Sequence, residues 1–104
     1  MIDAASMEGA MDFLAETDIR FAETKTRLMQ TEILCKRVRA RVFVNEEGAI
    51  ELRKAKAEAN GDVVDADKDY VAAMLDFETL KARRSRAEIV IDVWRTLEAS
   101  RRKT

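Results

Sequence analysis

The sequence predicts an all-α protein: a long antiparallel helical hairpin, coiled-coil-like, with a short helix at its tip. Three observations predict it. There is no proline and only three glycines among 104 residues, so almost nothing interrupts a helix. Two apolar seven-residue repeats are separated by a glycine-bearing break. Blocks of opposite charge fall opposite one another when the two repeats run antiparallel. With 47% apolar and 38% charged residues the chain has the composition of a folded domain, and 1–104 reads as a single helical domain.

The first helix is predicted over about 9–45. Leu14, Phe21, Leu28, Cys35 and Val42 recur every seven residues, with Thr17, Thr24, Thr31 and Val38 three positions after the first four. The threonines make this seam weaker than a leucine zipper and call for a partner helix with larger residues. The stretch "NEEG" ends the helix, and "AIELRKAKAEA" predicts a tip helix over about 49–59. Asn60-Gly61 stops that helix, and Asp62 is the expected cap of the next one, over about 63–100. Its seam alternates large and small residues: Val63, Tyr70, Phe77 and Ile91 with Ala66, Ala73, Leu80, Ala87 and Trp94. Arg84 interrupts it between Phe77 and Ile91. The expected register sets Phe21, Leu28, Cys35 and Val42 against Ile91, Leu80, Phe77, Tyr70 and Val63, with Tyr70 facing Cys35.

Charge follows the same register. Residues 1–24 hold one basic against six acidic side chains and 25–43 hold six against one; 63–80 hold one against five and 81–104 hold eight against three. Each basic block then lies beside an acidic one, which fixes orientation without an outside partner.

Several function classes recede. Histidine is absent, which removes the commonest general base and metal ligand, and the lone Cys35 supports neither an internal disulfide nor a thiolate zinc site. Cys35 reads as a reduced packing thiol. Glu46-Glu47 and Asp65-Asp67-Asp69 border glycines, where acidic residues mark turns and helix starts, and lack the spacing of a calcium loop. The expectation is no catalytic residue, no metal, no cofactor and no enzyme activity. No apolar run reaches membrane-spanning length and the N-terminus carries no signal-like core, so a cytoplasmic protein without membrane contact is expected.

The basic run Lys36, Arg37, Arg39 and Arg41 has two readings. It is either the solvated flank of the hairpin or a phosphate contact. At about 100° per residue, Arg39 lies beside the Cys35–Val42 stripe and Lys36 on its flank, both in reach of the acidic arm. Arg37 and Arg41 point about 160° and 120° away from Cys35. Arg53, Lys54 and Lys56 add charge at the tip, where no second arm runs alongside. In "KARRSR", Arg86 points away from the seam, Arg84 sits within it, and Arg83 shares a face with Trp94, either to stack on a base or to cover a core edge. The tail cations Arg101, Arg102 and Lys103 read as a helix end satisfying its last carbonyls. Against a dedicated DNA binder stands the net charge of −1.

The stretch "RARVFVNEEG", with "ADKDY" and "LDF" further on, resembles the small helical recombination mediators of tailed phages, the UvsY type, which help load a recombinase onto single-stranded DNA. The likeness covers about half the chain. It implies DNA contact by the basic-Ala-Arg step, here Arg39 and Arg41. The paired tyrosines that follow this step in the family are missing, Phe43 and Val44 being nearest. The ending "VWRTLEASRRK" is similar to that of small uncharacterised phage proteins. The resemblance implies a phage accessory protein, acting in the bacterial host cell, that binds single-stranded DNA and a recombinase or annealing protein. The alternative is a coiled-coil adaptor or inhibitor that acts through protein contacts alone. A two-helix rod leaves much of its seams wet, so a homo-oligomer is expected, with Met29, Ile33, Val44, Met74, Val90 and Leu97 available for a second interface.

Overall fold

The computed structural model describes residues 2–103 and is all-helical, with no strand among them. The helices are α1 (Ala4–Asn45), α2 (Ile50–Ala59) and α3 (Gly61–Arg102). The three-helix order matches the sequence pattern; the ends differ in ways that local hydrogen bonds explain. α1 begins ahead of the expected residue 9 because Asp3 caps it: the Ser6 N–H and hydroxyl both donate to Asp3 Oδ1 at 2.8 Å. These bonds hold the Asp3 carboxyl below its ordinary value.

α1 ends in a turn whose Gly48 has φ 111°, a conformation that L side chains rarely adopt. The next break is a single residue. Asn60 leaves α2 with an extended backbone (φ −67°, ψ 134°), donates its N–H to the Ala57 carbonyl, and accepts the Val64 N–H at 3.0 Å. Its side-chain Oδ1 also accepts the Asp62 N–H at 2.8 Å. The cap of α3 is therefore Asn60, and Asp62, expected in that role, lies in the first turn. Gly61 is already helical.

Packing divides the chain into two compact units. One is Thr24–Phe77; the other joins the part of α1 up to Glu23 to the part of α3 from Glu78 onward. In the first, Cys35, Val38 and Val42 of α1, Ala57 of α2, and Val63 and Ala66 of α3 form a three-helix core, with Phe43 and Tyr70 packed on it. Cys35 and Tyr70 thus belong to one packed cluster, in keeping with the heptad register. The Cys35 thiol donates to the Ala66 carbonyl at 3.0 Å, as suits a buried thiol in an apolar setting.

In the other unit, Ala10, Ala87 and Ile91 are buried, with Met7, Phe13, Leu14 and Val90 against them. Val90, expected on a surface available to a second interface, is partly buried against this core, which Ala10 of α1 and Ala87 and Ile91 of α3 form. The threonine-rich seam is accommodated by back-bonding: the buried Thr17 donates to the Phe13 carbonyl at 2.7 Å, and Thr31 donates to those of Arg27 and Leu28. The hydroxyl is thereby satisfied within its own helix and the methyl is free to pack. No helix among the described residues is long and apolar enough to cross a membrane.

Candidate nucleic-acid interface

The basic run on α1 separates into three environments. Arg39 turns inward toward α2 and α3: its Nε donates to Glu58 at 2.7 Å and its Nη2 to Asp67 at 2.9 Å. The Glu58 hydrogen bond first, then Asp67, raises the guanidinium pKa above its already high value. Lys36 lies 3.5 Å from Glu32 one turn earlier on the same helix, so it does not reach the acidic arm as the hairpin register predicts. Arg37 and Arg41 are exposed, and among the described residues neither forms an ion pair or a side-chain hydrogen bond.

The tip cations, expected to stand without partners, are engaged. Arg53 donates through Nε and Nη2 to the Phe43 carbonyl at 3.3 and 3.2 Å, and its guanidinium carbon lies 4.3 Å from the centre of the Phe43 ring. Lys56 donates to the Glu47 carbonyl at 3.3 Å and sits 3.8 Å from the Glu46 carboxylate. Lys54 is 3.8 Å from Glu51. For Arg53 and Lys56 the physical reason is the direction of α2, which folds back beside the end of α1, where the Phe43 and Glu47 carbonyls and the Glu46 carboxylate accept these donors, whereas Lys54 pairs within α2.

Phe43 gains a role that periodicity did not assign to it. With Ala40 and Ala57 it floors a groove of about 590 Å³ between α1 and α2, bordered by Lys36, Arg39, Lys54 and Glu58. A signal was present in the sequence: Phe43 follows Arg39 by one helical turn, so both stand on the flank that a returning tip helix would cover. Glu58, the closest partner of Arg39, was equally unmarked, because its position depends on the path of α2.

In the other unit, Arg84 is largely enclosed, with 15% of its side chain exposed. It donates to the Leu14 carbonyl at 2.9 Å, the Thr17 hydroxyl at 2.7 Å and Asp18 at 2.7 Å, and lies over the Phe21 ring at 4.9 Å. A charge in the seam is thus matched by acceptors on the facing part of α1. Arg83 and Arg86 are exposed and line a shallow depression with Ala10, Phe13, Ala87 and Val90. Trp94 lies in a separate depression with Arg101.

Of the cations singled out in the sequence, those left open to an anion are therefore Arg37 and Arg41 in one unit and Arg83 and Arg86 in the other. Such groups neutralise phosphates; they perform no covalent chemistry by themselves. Among the described residues no three acidic or thiol side chains converge as a metal site. No family model, curated protein or solved structure matches the chain.

Proposed function

We propose that this chain is a non-enzymatic accessory protein of phage DNA recombination, acting in the bacterial cytoplasm, that holds single-stranded DNA and a recombinase or annealing protein together. One observation carries the reading. Within a single run of α1, Arg39 is bound to Glu58 and Asp67 while Arg37 and Arg41 remain exposed and unpaired. A run that served only to match the acidic arm has no need of the two outward arginines, whereas a phosphate backbone does.

Each copy offers few such cations. Useful affinity then comes from several copies on one strand, each phosphate contact adding counterion release and the linked sites adding avidity. Exposed aliphatic residues supply a surface for that self-association: Val71 and Leu75 in one unit, Ile89 and Leu97 in the other. The same residues favour the second reading, an adaptor that binds only protein.

The test is binding to a labelled oligonucleotide across a salt series. Wild-type protein binds at low salt and weakens steeply as salt rises. Arg37→Ala with Arg41→Ala lowers affinity and flattens the log–log salt slope by about 0.7 per lost contact on a single strand, with thermal stability unchanged. No binding at low salt removes the DNA reading and leaves the adaptor.

A further inference from the structure

Phe43, at the floor of the groove between α1 and α2, lies on a different side of α1 from Arg37 and Arg41. At about 100° per residue, Phe43 is about 120° from Arg37 and about 160° from Arg41. We infer that this groove is a docking site for an acidic segment of a partner protein that inserts one bulky apolar side chain.

Charge complementarity and the chemistry of the floor favour this occupant. Ala40, Phe43 and Ala57 offer no hydrogen-bonding side chain, and Arg39 and Glu58 at the border already bond to each other. An aliphatic or aromatic side chain loses nothing on entering such a floor, whereas the polar edge of a nucleobase would surrender its hydrogen bonds to water without replacement. The Arg53 guanidinium, bonded to the Phe43 carbonyl and stacked on the ring, holds the aromatic floor in place before anything binds. At about 590 Å³ the groove falls within the range of about 300–1,000 Å³ common for ligand sites.

The rim sets the sign of the partner. Lys36 and Lys54 stand on either side, with 77% and 62% of their side chains exposed. Each is tied only to a carboxylate of its own helix, at 3.5 and 3.8 Å, and such exposed pairs contribute little and exchange readily. A carboxylate arriving on either side of the inserted side chain can therefore recruit a lysine at small cost. The inference is independent of DNA binding, because it uses neither Arg37 nor Arg41.

The experiment is an amide chemical-shift titration of the whole protein with a short synthetic peptide in which a central phenylalanine is flanked by aspartates on both sides. The readout detects binding as weak as millimolar. Shifts are expected at Ala40, Phe43, Lys54 and Ala57, lost when the phenylalanine of the peptide is replaced by alanine. The Lys36→Gln, Lys54→Gln variant should weaken binding about tenfold. Ala40→Phe, a change at an exposed helix position that fills the groove, should abolish it with the helical circular dichroism retained. Absence of shifts at these amides up to millimolar peptide overturns the inference, as does equal binding of the alanine peptide. Two further results overturn it by naming another occupant: an oligonucleotide that shifts the Phe43 and Ala57 amides and displaces the peptide, or self-association that Ala40→Phe abolishes while the peptide leaves the groove unshifted. Loss of oligonucleotide binding confined to the Arg37 and Arg41 variant leaves the groove assignment standing.

Discussion

Arg39 and Arg41 are two positions apart and have opposite energetic standing. Arg39 joins two carboxylates from two other helices, yet about a third of its side chain is exposed, so solvent screening limits what the network contributes. Arg39→Ala should cost about 1 kcal/mol in urea unfolding, whereas Arg37→Ala should change stability by less than about 0.5 kcal/mol. A loss at Arg37 equal to that at Arg39 would show that the outward arginines serve the fold after all. Cys35 gives a second residue-scale test. Burial, and then the neighbouring Asp67, push its thiol pKa up. A raised folded value means the folded state holds the proton more tightly. The associated stability is full below the unfolded thiol's pKa and is lost as pH rises through the folded one. At pH 8 a disulfide reagent should modify native Cys35 far more slowly than the same thiol in guanidinium; equal rates would contradict a buried packing role.

At the scale of elements, the two breaks flanking α2 decide where the tip helix lies. A Cβ at Gly48 would stand 2.9 Å from Leu52 Cδ2, and the φ of 111° is itself unfavourable for any other residue. Gly48→Ala should therefore destabilise the protein by about 1–2 kcal/mol. Asn60→Ala removes the cap of α3, a change of about 1 kcal/mol. Both changes release α2, so each should increase amide exchange at Ala57 before that at Ala10, which belongs to the other unit. Uniform loss of protection would mean that the two units unfold together. The heptad spacing located the two long helices, since a repeat sustained over several turns is a strong signal, and the breaks on either side located the tip helix. It located their ends less well, because capping by Asp3 and Asn60 depends on single side-chain hydrogen bonds that a periodic pattern does not carry.

For the whole molecule, exposed aliphatic side chains on both units bear on self-association. Val71 and Leu75 are 64% and 67% exposed on one unit, and Ile89 is 60% exposed on the other. Sedimentation should show self-association at micromolar concentration, and Val71→Lys with Leu75→Lys should shift the protein toward monomer with its helical spectrum intact. A wild-type monomer at that concentration would remove the avidity on which the proposed DNA contact relies.

The sequence by itself determined the class of the protein. The absence of proline, the two heptad repeats and the Gly48 and Asn60 breaks leave three helices as the arrangement that buries the apolar stripes, and Cys35 and Tyr70 share one cluster because both stripes have the same period. The direction of Arg37 and Arg41 was also legible, since helical phase alone turns them away from the core. Tertiary structure alone decided which other cations are open. Arg53 and Lys56 look free in a linear chain and Arg84 reads only as a break in its seam, yet each is bound to a carbonyl or carboxylate brought to it by another segment. Local periodicity reports the face on which a residue lies; the acceptors opposite that face depend on how α2 and α3 return across α1. The Phe43 groove exists for the same reason, because its floor and rim come from two helices whose meeting no repeat encodes.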